Sequence, residues 1–266
     1  MRGPRLYLRY VGVSLRAQMQ YKVSFVLQAA GQLLATGIEF VGLWALFRRF
    51  GGVHGWSLPE AAFLYGVVNI SAALGDAVSR GLDVIAAMIR DGDLDRLLLR
   101  PRSLLLQLMG HEFTLRRIGR LVQGAAVLAW AVTGLAVPWG AGRLALLAAA
   151  LASGMTLWLG LLVLQATLSF WTVETLEIMN TLTYGGVETA QYPLSIYSRA
   201  FRRFFVFVVP LACASYFPVL AILGKADPLG SPLWLGWVSP LAGPLFLAAT
   251  LRVFGLGVRH YTSTGS

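Results

Sequence analysis

Residues 23–47, VSFVLQAAGQLLATGIEFVGLWALF, hold a single ionisable side chain, Glu39. At about 1.5 Å per helical residue this run is longer than the roughly 30 Å hydrocarbon core of a bilayer. It reads as a permanent spanning helix, because the apolar part of a cleavable signal has only about 7 to 15 residues and stands closer to the chain start. Five more apolar runs follow at 61–78, 118–137, 144–173, 204–223 and 234–258, for about six spans in all. Composition agrees, since 57% of the 266 residues are hydrophobic, only 13% are charged, and mean hydropathy is +0.67. Soluble domains carry about twice that charged share. The predicted fold class is an all-α polytopic membrane protein, one transmembrane domain over 1–266.

The net charge is +10, from 22 Lys and Arg against 12 Asp and Glu. In a membrane chain such an excess marks loops facing an anionic cytoplasmic leaflet, and no basic soluble module is left over to bind nucleic acid. With the N-terminus inside, inner segments hold 18 of the 22 basic residues, including Arg2, Arg5, Arg9, Arg16, Lys22, the arginines from Arg80 to Arg120, then Arg199, Arg202, Arg203, Arg252 and Arg259. The outer side keeps Arg48, Arg49, Arg143 and Lys225. Both termini are then expected in the cytoplasm, with Trp44, Trp56, Trp139, Trp234 and Trp237 as an outer aromatic belt. The lone cysteine, Cys213, excludes a disulfide framework or a cysteine metal cluster within one chain.

Three segments are neither span nor simple loop. In 1–22, Arg2, Arg5, Arg9 and Arg16 share one face of a helical wheel and Leu8, Val11, Leu15 and Met19 the other, which predicts an interfacial amphipathic helix, either a topogenic anchor or a docking element. In 80–101, Leu82, Ile85, Met88 and Ile89 repeat at helical spacing, Gly92 supplies a stop, and Leu94, Leu97 and Leu98 begin a second short helix ended by Pro101. This elbow between two spans is where a soluble motor can push on the membrane helices, because a rigid helix transmits displacement and a floppy loop does not; the bland alternative is a passive interfacial hairpin. The third segment, 174–203, carries Glu174, Glu177, Glu188, Gly185-Gly186 and Tyr192-Pro193, and is too polar to face lipid. It is expected as a cytoplasmic extension with an interfacial turn, in preference to a re-entrant segment buried among other helices.

Chemical motifs fail on spacing. Asp91, Asp93 and Asp95 open like a calcium loop, but Arg96 and Arg102 stand where Gly and Glu are required. His111-Glu112 lacks the second zinc-ligating histidine, Leu115 standing in its place, and neither a phosphate-binding loop nor a nucleophile elbow occurs. The chain is therefore expected to carry no cofactor, no metal and no catalytic group of its own. The stripes Ser71, Gly75, Ser79 and Ala148, Ala152, Thr156, Gly160 suit close helix packing. Pro210 and Pro218, like Pro240 and Pro244, bend or break their helices, which either line a path or turn a corner. Intramembrane carboxylates are costly, so Glu39 and Asp76 either mark a cation path, or Glu39 pairs with a neighbouring helix and Asp76 sits at the interface beside Arg80.

In this order the chain resembles the permease subunits of ABC type-2 exporters, in the bacterial six-span branch that includes viologen exporters. The resemblance covers nearly the whole length. It rests on Gly55-Trp56-Ser57-Leu58 with Glu60, Arg80-Gly81-Leu82-Asp83, and Ile89-Arg90-Asp91-Gly92-Asp93-Leu94-Asp95 running to Leu98-Leu99-Arg100-Pro101. Phe170-Trp171, Tyr184-Gly185-Gly186-Val187-Glu188, Tyr192-Pro193, Tyr216-x-Pro218 and the ending from Gly257 to Ser266 continue it; Ser24 departs, where Asn is expected.

The resemblance implies residence in a bacterial inner membrane, an N-terminal interfacial helix, and a coupling helix between the second and third spans. It further implies two permeases, identical or related, bound to two separate ATPase subunits that carry ATP and magnesium. Arg80, Leu82, Asp83, Ile85, Met88, Ile89, Arg90, Asp91, Gly92, Asp93, Leu94 and Asp95 are then the candidate ATPase contacts. Glu39, Asp76, Pro210 and Pro218 are candidates for the path of an unknown cationic or hydrophobic small molecule. The rivals are an ATP-independent secondary carrier or channel, and a membrane-embedded enzyme.

Overall fold

The computed structural model describes residues 22–110, 118–171 and 176–262, with isolated positions before 22. The helix expected over 1–22, the pair His111-Glu112 and the final residues 263–266 lie outside the described residues. Within them the chain is helical, with one isolated bridge between Val53 and Trp56 and no strand. Four helices are long and apolar enough to cross a membrane: α1 (Lys22–Phe50), α2 (Leu58–Ser79), α7 (Ala141–Leu168) and the combined stretch Leu235–His260.

The first two spans meet at a tight turn in which Gly51, Gly55 and the non-glycine His54 take positive φ. The turn closes on Ser57, whose backbone N–H donates to Glu60 Oε2 at 2.7 Å, an acidic side chain reaching back over the first turn of α2. α2 is apolar all round, and 78% of its most apolar stretch is buried, whereas in α1 only 17% is. A helix apolar on every face belongs in the middle of a bundle, so α2 is the central post and α1 leans on it from outside.

Between α2 and the next long helix the chain makes a 3-10 turn (Arg80–Leu82) and three short helices, α3 (Ile85–Arg90), α4 (Asp93–Leu98) and α5 (Leu104–Met109), then α6 (Ile118–Thr133). Gly92 joins α3 to α4 at φ 73°, a left-handed backbone that favours glycine. At 16 residues α6 is shorter than a hydrocarbon core, its preceding residues being outside the described set.

Small residues fix how the long helices meet. A Cβ on Gly75 of α2 would stand 2.7 Å from the Trp158 Cβ of α7, and Gly154 of α7 faces Ser71. The stripe Ser71, Gly75, Ser79 is thus an intramolecular seam. In the second stripe Gly160 is buried against Phe246, while Ala148 and Ala152 face outward. The last span comprises α12 (Leu235–Val238), a 3-10 turn (Ser239–Leu241) and α13 (Ala242–His260). It runs parallel to α7, pairing Trp237 with Gly142, Gly243 with Ser153 and Gly257 with Thr167.

The structure differs from the sequence expectation after α7. Residues 204–223 are no single straight helix. α9 (Arg199–Arg203) and a π turn (Phe204–Val208) form one arm, α10 (Leu211–Ala214) and α11 (Tyr216–Leu223) the other, and the arms are bent by 68° at Val209-Pro210, where proline supplies no N–H. Arg199, Arg202 and Arg203 line one groove with Pro228, Leu229 and Ser231, so both ends of this segment emerge at the same end of the bundle. That end also holds Gly55, Glu60 and Lys225; we call it the far end, opposite the elbow.

The chain reaches the far end through α8 (Leu176–Ala190). Thr183 and Val187 share a pocket with Asp76, Trp158 and Leu162, and Ala190 and Tyr192 lie beside Tyr216. The polar stretch expected as a cytoplasmic extension is therefore a helix climbing through the bundle. Its polarity is tolerated because α2, α7 and α10 cover it. Arg199, Arg202 and Arg203, expected on the same side as Arg80, lie at the opposite end and Arg120 lies within the bundle, which cuts the basic bias from 18 against 4 to 14 against 7 without reversing it.

Candidate functional site: the elbow and the polar groups inside the bundle

The elbow is anchored by its apolar face. Leu82, Ile85, Ile89 and Leu94, with Leu104 and Leu108, form one buried cluster with Leu162, Val163 and Ala166 of α7 and Phe254 of α13. The four that were candidate ATPase contacts are thus spent on the chain's own core. Asp83, Met88, Gly92 and Asp95 are half-buried, and Arg80 opens the 3-10 turn. Arg90, Asp91 and Asp93 are exposed, with Arg96 pairing Asp93 at 3.2 Å in the open. The rim continues past Leu98 to Leu99, 85% exposed, and Arg100. Sequence periodicity passed over Leu99, although an apolar residue directly before Arg100-Pro101 is out of phase with the buried face, which is the signal that marks it.

Two further contacts stiffen the elbow. The Gln107 amide donates to the carbonyls of Leu97 (3.1 Å) and Arg102 (3.3 Å), pinning the end of α4 to α5. Phe170 packs edge-on against Phe254 and Tyr261, bringing the end of α13 under the elbow. There burial, and then a hydrogen bond to the neighbouring Asp95 carboxylate, raise the Tyr261 phenol.

Inside the bundle a polar network joins α1, α2 and α6. Arg120 Nε donates to Asn69 Oδ1 at 3.0 Å, and its guanidinium lies 3.7 Å from Glu39, an ion pair longer than a hydrogen bond. The Asn69 amide donates to the Tyr65 carbonyl at 2.9 Å. The Gln123 amide donates at 2.9 Å both to the Thr36 carbonyl and to the Tyr65 hydroxyl, which in turn donates to Thr36 O at 3.0 Å. Arg120 had been assigned to an inner loop; it is a buried helical residue. Glu39 has the neighbouring-helix partner that its cost in a bilayer demands, and 32% of its side chain remains exposed. Asp76 shares its pocket with Arg120, Trp158 and Thr183. Pro210 and Pro218 belong instead to the bent hairpin, the first at its break and the second buried in α11.

The far end is tied across the sequence. Lys225 Nζ donates to Glu60 Oε2 at 2.6 Å and to the Gly55 carbonyl at 2.5 Å, and lies over the Trp56 ring at 5.1 Å. Trp56, expected in the exposed aromatic belt, is buried and packs on Tyr216, whose hydroxyl donates to Asp227 Oδ1 at 2.9 Å. Trp44, Trp234 and Trp237 are exposed as a belt requires.

The chain is thus a helical bundle with several helices able to span a membrane and a rigid elbow docked at one end. Residues 33–265 match the family described as ABC-2 family transporter protein, and the chain belongs to that family. It is the membrane component of an ABC-type transporter. No curated protein and no solved structure matches the chain.

Proposed function

We propose that this chain is the transmembrane half of an ATP-driven exporter, joined to two ATPase subunits and a second permease, identical or related. It expels a small hydrophobic or cationic molecule. ATP and magnesium are held by the ATPase. The observation that carries this reading is the elbow, with its apolar face sunk between α7 and α13 and its charged rim, Arg90, Asp91, Asp93 and Arg96, turned outward around Leu99. A push on that rim moves α7 and α13 as a pair and pulls on α2, which runs into the elbow without a loop. At the far end the hairpin rides on the same pair, Gly236 of α12 lying against Phe217 and Ala221 of α11. Tilting the pair therefore works on the Glu60–Lys225 contact, and the path opens to the other side. The remaining excess of basic residues at the elbow end supports a cytoplasmic location for it. The Asp76 carboxylate in one pocket with Trp158 favours cationic cargo.

The test is co-purification with an ATPase and transport in vesicles. Leu99→Asp is expected to leave the chain folded in the membrane and to abolish both ATPase association and export. Full association and export by this variant would remove the elbow rim from the contact.

A further inference from the structure

The far-end groove of about 910 Å³ carries three guanidiniums, Arg199, Arg202 and Arg203, on one short helix. Its remaining walls are apolar except for Ser231 and Cys213, and they include Phe207, 80% exposed, with Leu229 and Leu235. Among the described residues no carboxylate pairs with these arginines. Asp227, next to Pro228 of the groove wall, accepts from the Tyr216 hydroxyl and from the backbone N–H groups of Leu229 and Ser231. Three cations over an apolar floor call for an anion that carries hydrocarbon. The groove also lies at the depth where such molecules are found, since Leu235 in its wall is flanked by the exposed Trp234 and Trp237, and exposed tryptophans of membrane proteins sit at headgroup level.

We infer that this groove binds an acidic phospholipid of the surrounding bilayer, with the phosphate between the three arginines and an acyl chain along Phe207. Arginine suits the role because its fork takes two phosphate oxygens at once. The site is separate from the elbow and from the Glu39–Arg120 network, so it stands or falls independently of the transport reading. The bound lipid neutralises the excess charge of α9 and props the first arm of the hairpin.

The experiment is native mass spectrometry of the full chain in detergent with added phosphatidylglycerol, phosphatidylcholine or inorganic phosphate. Phosphatidylglycerol is expected to be retained in preference to phosphatidylcholine, with each Arg→Gln change weakening it about fivefold. The triple variant R199Q/R202Q/R203Q is expected to lose the preference, and R199K/R202K/R203K to keep most of it. Should the triple Gln variant fail to fold, Arg203→Gln, whose side chain is exposed, carries the test. Equal retention of both lipids overturns the inference, as does displacement of phosphatidylglycerol by an equal concentration of inorganic phosphate. A changed oligomeric state in the Gln variants, with lipid retention intact, also overturns it and makes the groove a contact between copies.

Discussion

Lys225 and Glu60 are 165 residues apart in sequence and 2.6 Å apart in space. The pair ties the start of the central helix to the loop that follows the bent hairpin, and both side chains are about four-fifths shielded. A double-mutant cycle with Lys225→Met and Glu60→Gln, read by thermal melting of the detergent-solubilised protein, should give a coupling of about 1 kcal/mol. Strictly additive losses would mean that the contact carries no energy.

Ile89 and Leu99 lie ten residues apart on the elbow and should respond in opposite ways to the same charge. Ile89 is 6% exposed inside the buried elbow cluster, so Ile89→Asp buries an unpaired carboxylate, costs more than about 3 kcal/mol and lowers the yield of chain in the membrane. Leu99→Asp changes a side chain already in the open and should melt at the parental temperature. Membrane yield and melting temperature, measured side by side, decide it.

Removing Arg120 strands two partners at once, Glu39 and Asn69. Arg120→Met should destabilise the chain by about 3 kcal/mol, the usual cost of breaking a buried pair from one side. Glu39→Gln should cost much less, because its carboxylate is one-third exposed. In vesicle assays Glu39→Gln should weaken export of cationic compounds more than of neutral ones; equal losses would take Glu39 out of the path.

Two glycines in spanning helices make a contrast. Gly75→Ala forces a methyl against Trp158 and the Met155 carbonyl and should destabilise by about 1 to 3 kcal/mol. Gly37 of α1 has nothing within 4 Å of where its Cβ would stand, so Gly37→Ala should stabilise by about 0.5 to 1 kcal/mol through helix propensity. Melting temperatures of the two variants should move in opposite directions.

Tyr197 lies in the turn between α8 and α9, and its hydroxyl donates to the Thr189 carbonyl at 3.1 Å. Burial, and then the neighbouring Tyr192, push its phenol from an ordinary 10.0 up to about 12. A raised phenol keeps its proton in the folded chain after the unfolded chain has lost it. Its contribution is therefore complete below pH 10 and is lost as pH rises from there through about 12. Melting temperature measured across that window should fall less steeply in Tyr197→Phe than in the parent.

Hydropathy and length made α1, α2, α7 and the last span legible, and period with Gly92 made the elbow legible, because these signals are local. What escaped is held by contacts distant in sequence. Glu177, Glu188 and Gly185-Gly186 make α8 look like a loop, and only the helices that cover it let it climb through the bundle. Arg120 looked like a loop charge because its partners, Glu39 and Asn69, lie on other helices. The segment 204–223 has a span's composition, and Val209-Pro210 alone gave no measure of how far it turns back.

The hairpin is bent by 68° and its two ends line one groove at the far end of the bundle. Reporter enzymes fused after Ala190 and after Leu223 should accordingly signal from one and the same compartment, where a count of apolar runs would assign them to two.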